Sequence, residues 1–381
     1  MIYIRKVSNS FLEEHRSLKV IFIVPYPIEG ASSRLRVWQY LKHLERLGVR
    51  CCFRPFMSSA FYEIVYQPGR FWLKTYHFIL SAFNRLLDLP IIKKHDLVFV
   101  QREAFPFGPP IFEWIVAKIL RKPLIYDFDD AIFLKTKSKY NNLVRFVKSP
   151  QKISKIIRMS TQVIVGNKYL QEYALKFNQS TSVIVTPVDT EKFKPEDKKA
   201  NKDNVVLGWI GSHSTSTFLL PLRDVFQRLQ AKYPCLTLRF VGAGNLFNQI
   251  PFAQFWEWKL ERESKDLNTF DVGIMPLPEN EWSKGKCGYK LLQYMGAGIP
   301  VVCSPIGVNK EIVQEGGNGF FAGLQEEWFK KLSALIEDSE MRQRMGIKGR
   351  KTVENRYSLK ACLPSFYEVL KKSFESVCPK K

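Results

Sequence analysis

The sequence has little that would tie it together through disulfides or a metal. Its seven cysteines, Cys51, Cys52, Cys235, Cys287, Cys303, Cys362 and Cys378, are odd in number and unpaired in spacing, and its five histidines lie far apart. Neither a disulfide framework nor a zinc site is supported, and a reducing, cytoplasmic compartment is expected. No run of about 18 apolar residues is present to span a bilayer, and MIYIRKVSNSFLEEHRS at the start is too charged for a signal peptide. Any membrane contact is therefore expected to be peripheral, on the inner face of the cytoplasmic membrane. GxGxxG is missing after the first apolar run, which leaves a dinucleotide cofactor unsupported. Acids are scarce as well: 36 Asp and Glu against 58 Lys and Arg give +22. Residues 1–200 carry 33 basic and 17 acidic residues, a net +16, which leaves +6 for residues 201–381. An anionic partner is implied, mostly for the first half.

What is present is enough apolar material for real cores, 45% hydrophobic and 14% aromatic, in a 381-residue chain of about two domains' length. Continuous apolar runs recur between helical stretches at KVIFIVP (19–25), LVFV (97–100), PLIYD (123–127), QVIVG (162–166) and SVIVT (182–186). After a polar, charged stretch the pattern restarts with NVVLGWIG (204–211), LTLRFVGAG (236–244), FDVGIMPL (270–277) and IPVVCSP (299–305). Such runs mark parallel sheets covered on both faces. The fold class predicted is α/β, two doubly wound Rossmann-like domains facing across a cleft. The first spans 1–190 and the second 204–356, with a linker at 191–203. Phe366, Val369, Leu370 and Phe374 form a helical stripe in 357–381, a segment that either crosses back to the first domain or packs on the second.

In doubly wound sheets, ligands bind beyond the carboxyl ends of strands. After the first strand, Gly30, Ser32 and Ser33 precede a helix with Arg34 and Arg36, either an ordinary helix start or an anion site. Arg102, after the strand at 97–100, joins them as a candidate on that side. YDFDDAIF places Asp127, Asp129 and Asp130 at a strand end, where crowded carboxylates suit a metal, a hydroxyl-rich ligand or a raised pKa, unless one merely caps a helix. From Ala131 to Gln171 there follow nine basic residues and no acid. Trp72, Tyr76, Ile79, Leu80, Phe83 and Leu87 share one helical stripe accompanied by Arg70, Lys74 and Arg85, which fits core packing or an interfacial helix on anionic lipid. In the second half, Gly211, Ser212 and His213 follow a strand. EWSKGKCGYKLLQYMGAGIPVVCSP then sets Lys284, Lys286 and Lys290 among Gly285 and Gly288 in a loop opening a helix, a cradle for a diphosphate, with Gln293 on the face of Lys290.

GKCGYKLLQYMGAGIPVVCSPIG resembles the nucleotide-sugar signature of the glycosyl transferases group 1 family, retaining enzymes of the GT-B fold with the pattern E-x-F-G-x(4)-E-A-M-A-x-G-x-P-V-V. Met295, Gly298, Pro300, Val301 and Val302 match in register. VIVTPVDTEKFKP is similar to the family's V-I-P-N-G-V-D-x-x-x-F-x-P. The resemblance implies transfer of a sugar from a nucleotide diphosphate sugar, with retention, to a saccharide or lipid-linked acceptor in cell-surface polysaccharide or glycolipid synthesis. It implies no cofactor and no metal. Asp129 and Asp130 align with the family's His-Asp pair and, with Asp127, are the expected catalytic residues. Gly211, Ser212, His213, Lys286, Gly288, Tyr289, Lys290 and Gln293 are expected on the donor, and Gly30, Arg34, Arg36 and Arg102 on the acceptor. The family's two glutamates fall on Gly285 and Gln293, and its Arg-Lys pair is missing after the second domain's first strand. Charge neutralisation is therefore expected from Lys286 and Lys290. A nucleotide-sugar epimerase of the same fold and an inactive relative are the alternatives. A nucleic-acid partner is not expected, for want of any recognised motif. The excess charge instead suggests an anionic membrane surface.

Overall fold

The computed structural model describes residues 17–134, 151–196 and 204–376. Its twelve described strands form two six-stranded sheets of order β2-β1-β3-β4-β5-β6 and β12-β11-β10-β7-β8-β9. In the first sheet β1 (Lys19–Val24) pairs in parallel with β2 (Arg50–Pro55) and β3 (Leu97–Gln101), and β3 with β4 (Leu124–Phe128). β5 (Gln162–Val165) and β6 (Thr181–Val183) complete it. In the second, β7 (Val206–Ile210) lies in parallel between β8 (Thr237–Val241) and β10 (Val272–Met275). β9 (Gln254–Trp256), β11 (Val301–Cys303) and β12 (Gly319–Phe321) extend it, all in parallel.

The apolar runs form the central strands because both of their faces must leave water. Alternate residues of β7 show the two-sided burial: Leu207 and Trp209 enter one core cluster, Val206 and Ile210 the other. Each large side chain so withdrawn contributes about 1.5–3 kcal/mol. Gly208 lies between them because the Phe270 ring occupies the space of a Cβ there.

The chain divides into two compact units. One comprises Met1–Asp127, Lys137–Val163 and Tyr367–Lys381, the other Phe128–Thr136 and Ile164–Phe366. The described part of the stretch expected to be a linker, 191–196, is not a free tether. Phe193 is 1% exposed in the core that holds Tyr294 and Met295. Arg350 clamps the same stretch by donating to the carbonyl oxygens of Phe193 and Thr190 at 2.5 and 3.0 Å. Residues 197–203 lie outside the described part, as do Lys135, Lys137, Lys139, Arg145 and Lys148 of the acid-free stretch.

Of the helices, α1 is the composite 31–46, α2 is Ser59–Val65 and α3 is Phe71–Lys93. α4 is Gln151–Met159, α5 Lys168–Leu175, α6 Tyr289–Gly296 and α7 Leu359–Glu375. α3 settles the question raised by its aromatic stripe: Trp72, Tyr76, Ile79, Leu80, Phe83 and Leu87 are all exposed, between 42 and 82%. The buried row is instead Ser81, Arg85, Asp88 and Ile92. Arg85 donates to the carbonyl oxygens of Val24 (3.0 Å), Arg54 (3.1 Å) and Ala104 (3.3 Å), and to Asp88 Oδ2 at 2.9 Å. Asp88 Oδ1 accepts from Arg54 Nε at 2.6 Å. A guanidinium that satisfies three carbonyl groups and a carboxylate can be buried, although burial holds it down at about 10 against the pull of Asp88. Core packing is therefore not the role of the aromatic stripe.

Candidate active site

The loop from Lys284 to Gly288 and the start of α6 are shaped by glycines. Gly288 caps α6 with φ +67°, and a Cβ there would lie 2.6 Å from Ile312 Cδ1, so only glycine fits. At Gly285 a Cβ would lie 2.6 Å from that of Ala131. The family's signature glutamate has no room at this position because the backbone beyond Asp130 occupies it. Asn167, at the start of α5, fastens the loop by donating from Nδ2 to the carbonyl oxygens of Lys284 (3.3 Å) and Lys286 (3.0 Å).

This arrangement gathers two lysines. Lys286 Nζ pairs with Asp130 Oδ1 at 2.9 Å, each side chain about one-fifth exposed, and lies 4.6 Å from the Trp282 ring centre. Lys290 reaches back to the end of β7, where Nζ donates to Thr215 Oγ1 at 3.1 Å and lies 4.0 Å from the Trp209 ring centre. Gly211 permits that approach, since a Cβ there would lie 2.5 Å from the ammonium. Among the described residues no carboxylate pairs with Lys290. Desolvation, and then the positive charge of Lys286, lower its pKa to about 7. An ammonium held this way calls for an anion from outside the chain.

The remaining donor-side candidates are spread around this pair. Ser212 and His213 are exposed; Ser212 Oγ lies 3.0 Å from Ser214 Oγ, and His213 Nδ1 3.2 Å from Asn245 Oδ1. Tyr289 is partly exposed. Gln293 is buried, donating from Nε2 to Glu263 Oε1 at 3.2 Å, and Glu263 in turn pairs with Lys192 at 2.6 Å.

The three aspartates part company. Asp129 is 7% exposed; Gly166 makes room for it, since a Cβ there would lie 3.2 Å from Asp129 Cα. Asp129 and Asp130 belong with the second unit and Asp127 with the first. Asp127 is fully buried against Arg36, whose Nε lies 3.1 Å from Oδ2 and whose Nη2 bonds Oδ1. Burial pushes the Asp127 carboxyl up, while the guanidinium pulls it back. Arg102 donates its backbone N–H to the Asp127 carbonyl oxygen at 2.7 Å from a left-handed backbone, φ +62°. Arg34 is turned onto the carbonyl oxygens of Ile28 and Glu29, both at 2.9 Å, and Gly30 lies where a Cβ would strike Tyr26. These contacts give Arg34, Arg36 and Asp127 partners inside the fold. Among the described residues no three His, Cys, Asp or Glu side chains converge as a metal would require. Sequence reasoning missed Thr215, Trp209 and Asn167 as parts of the site; only the polar run WIGSHSTST hinted at the first.

Two parallel sheets of six strands and a basic, glycine-shaped loop at the carboxyl ends of the second define a GT-B type of α/β protein. Residues 204–338, which carry that loop and both lysines, match the glycosyl transferases group 1 family. It is similar to glucosyltransferase 3 of Streptococcus parasanguinis, with 23% identity over 190 residues, 45% of this chain. The chain spans only 56% of the length of that relative. Among solved structures it is similar to Anabaena HepE in complex with UDP and glucose, at 14% identity, 93% of this chain, 99% of that chain and TM-score 0.66. It is also similar to a glycosyltransferase from Rickettsia africae (15% identity, 95% and 100% coverage, TM-score 0.67). A third is sucrose-phosphate synthase from Thermosynechococcus elongatus (12% identity, 95% and 100% coverage, TM-score 0.67). At these identities the likeness is one of fold.

Proposed function

We propose that the protein is a glycosyltransferase that moves a sugar from a nucleotide diphosphate sugar, with retention at the anomeric carbon, to a saccharide or lipid-linked acceptor at a membrane surface. The observation that carries this reading is the Lys290 ammonium, half-buried, next to a second cation and, among the described residues, without a carboxylate partner. The binding of UDP by HepE supports a uridine diphosphate donor. As the bond from C1 to the diphosphate oxygen breaks, its electron pair moves onto the diphosphate, where Lys290 and Lys286 meet the developing charge. The acceptor oxygen bonds C1 and passes its proton to the departing diphosphate oxygen, and Asp129 and Asp130 are the carboxylates proposed to orient that hydroxyl and support the cationic sugar. Asp127 and Arg36 act from within as positioning residues. The sum of the reaction needs no oxidant and no metal.

Thermal unfolding with UDP-sugars of different sugar identity, followed by transfer assays with the stabilising donor, tests the reading. At a hundred times its dissociation constant a donor should add about 2.7 kcal/mol. Asp129→Asn should leave that stabilisation intact while transfer falls by roughly 10²–10⁴-fold. No stabilisation by any nucleotide sugar would overturn the reading in favour of an inactive relative. Donor-dependent epimer without acceptor would replace it with an epimerase.

A further inference from the structure

α3 is built inside out. Its inward row, Ser81, Arg85, Asp88 and Ile92 at spacings of four, three and four, is mostly polar and is anchored by the Arg85 network. Its outward face carries Trp72 (82% exposed), Tyr76 (61%), Ile79 (62%), Phe83 (58%), Leu86 (51%) and Leu87 (47%). In a water-facing helix these two rows would be exchanged. Phe78, on the inward side, packs instead on the cluster of Phe56, Phe61 and Ile64, with its ring 5.7 Å from that of Phe107. Contiguous apolar surface on this scale marks an interaction site.

The charge around the face selects the partner. Between Arg70 and Lys94 the only acid is Asp88, which is buried, whereas Arg70, Lys74, Lys93 and Lys94 stand at the two ends. A second copy of the chain docking face to face, in either direction, would oppose these cations to one another. Anionic headgroups would pair with them at both ends while the acyl boundary took the apolar row. The rings of Trp72 and Tyr76, apolar with one polar atom each, suit the headgroup boundary, where one side of a ring is wet. No described helix is long and apolar enough to cross a membrane, so α3 would lie in the interface plane, about 34 Å long at 1.5 Å per residue. We propose that the outer face of α3 is a docking surface for an anionic lipid bilayer. This goes beyond the catalytic reading and is tested without donor or acceptor.

The experiment is co-sedimentation of the full chain with vesicles of phosphatidylcholine alone and of phosphatidylcholine mixed with phosphatidylglycerol. The expected result is binding to the mixed vesicles only. Trp72→Ser with Ile79→Ser should lower the partition by about two orders of magnitude, since each side chain forfeits most of its transfer free energy. Arg70→Glu with Lys94→Glu, both at exposed positions, should lower it at least about tenfold. Circular dichroism melting of each variant verifies its fold, and the charge variant decides should the apolar one fail to fold. Absence of binding by the unaltered chain, or binding indifferent to phosphatidylglycerol or to both pairs of substitutions, would overturn the proposal. So would a dimer in sedimentation velocity that the Trp72 and Ile79 substitutions dissociate, since the occupant would then be a second copy.

Discussion

At the scale of single residues, Lys290 is where the sequence, the geometry and the proposed chemistry meet. Its pKa of about 7 lies well below the roughly 10.4 of an unfolded lysine. The unfolded chain therefore holds this proton more tightly than the folded one. Folding bears a penalty that is complete below about pH 7 and fades as the pH rises toward 10. A bound diphosphate reverses the local balance by favouring the charged ammonium. UDP affinity should accordingly be level below about pH 7 and fall above it, by up to about tenfold per pH unit, because binding must then import a proton. Titration calorimetry between pH 6 and 9 measures this, and Lys290→Met should remove the part of the slope due to the protein while weakening binding at pH 6. An identical slope in the variant would show that the ligand alone titrates. The signature's departures also have a residue-scale cause at Gly285. Ala131 fills the space of a side chain there, so the lost glutamate belongs with the course of the chain after Asp130.

At the scale of elements, the sequence makes plain what is buried on two sides and hides what is buried on one. β1, β3, β4, β7, β8, β10 and β11 are continuous apolar runs and were legible. β2, β9 and β12 were not: β2 is RCCFRP, and the other two are three residues long. All three lie at sheet edges, where one neighbour is missing and the apolar requirement relaxes. α3 shows a second limit. Periodicity reveals that a helix has an apolar stripe but not which way the stripe faces. The direction was set by Arg85, through carbonyl groups of Val24, Arg54 and Ala104 that no local pattern could bring together. In the candidate site, the lysine and glycine positions were readable from spacing. The Thr215 and Trp209 contacts to Lys290, and the Arg36 partner of Asp127, depend on chain separations of 75, 81 and 91 residues and were not. The anchor of α3 should be energetically decisive. Arg85→Met would leave Asp88 buried with only the partly exposed Arg54, and is expected to cost about 3–5 kcal/mol in urea unfolding. A loss below about 1 kcal/mol would mean that solvent already reaches the pair.

At the scale of the whole molecule, the two proposals above would have the excess of 22 positive charges serve two anions of different kinds. The donor diphosphate needs a few cations at short range in a site where Lys290 is half-buried, and charges so placed are screened weakly by salt. In the docking proposed for α3, a bilayer would meet exposed cations such as Arg70 and Lys94 across a solvated gap, in the half of the chain that holds +16, and there a Debye length of about 10 Å at 0.1 M salt would govern the attraction. The two ligands should therefore separate on a salt axis. Between 50 and 500 mM sodium chloride, values spanning Debye lengths of roughly 14 to 4 Å, vesicle partitioning is expected to fall at least about tenfold. UDP affinity over the same range should fall by less than about threefold, since its cations lie within contact distance of the phosphates. Parallel co-sedimentation and calorimetry series provide the measurement. If both affinities fell together, the lysines of the loop before α6 would be acting as part of the same diffuse surface field, and the assignment of Lys290 to a desolvated anion site would fail with it.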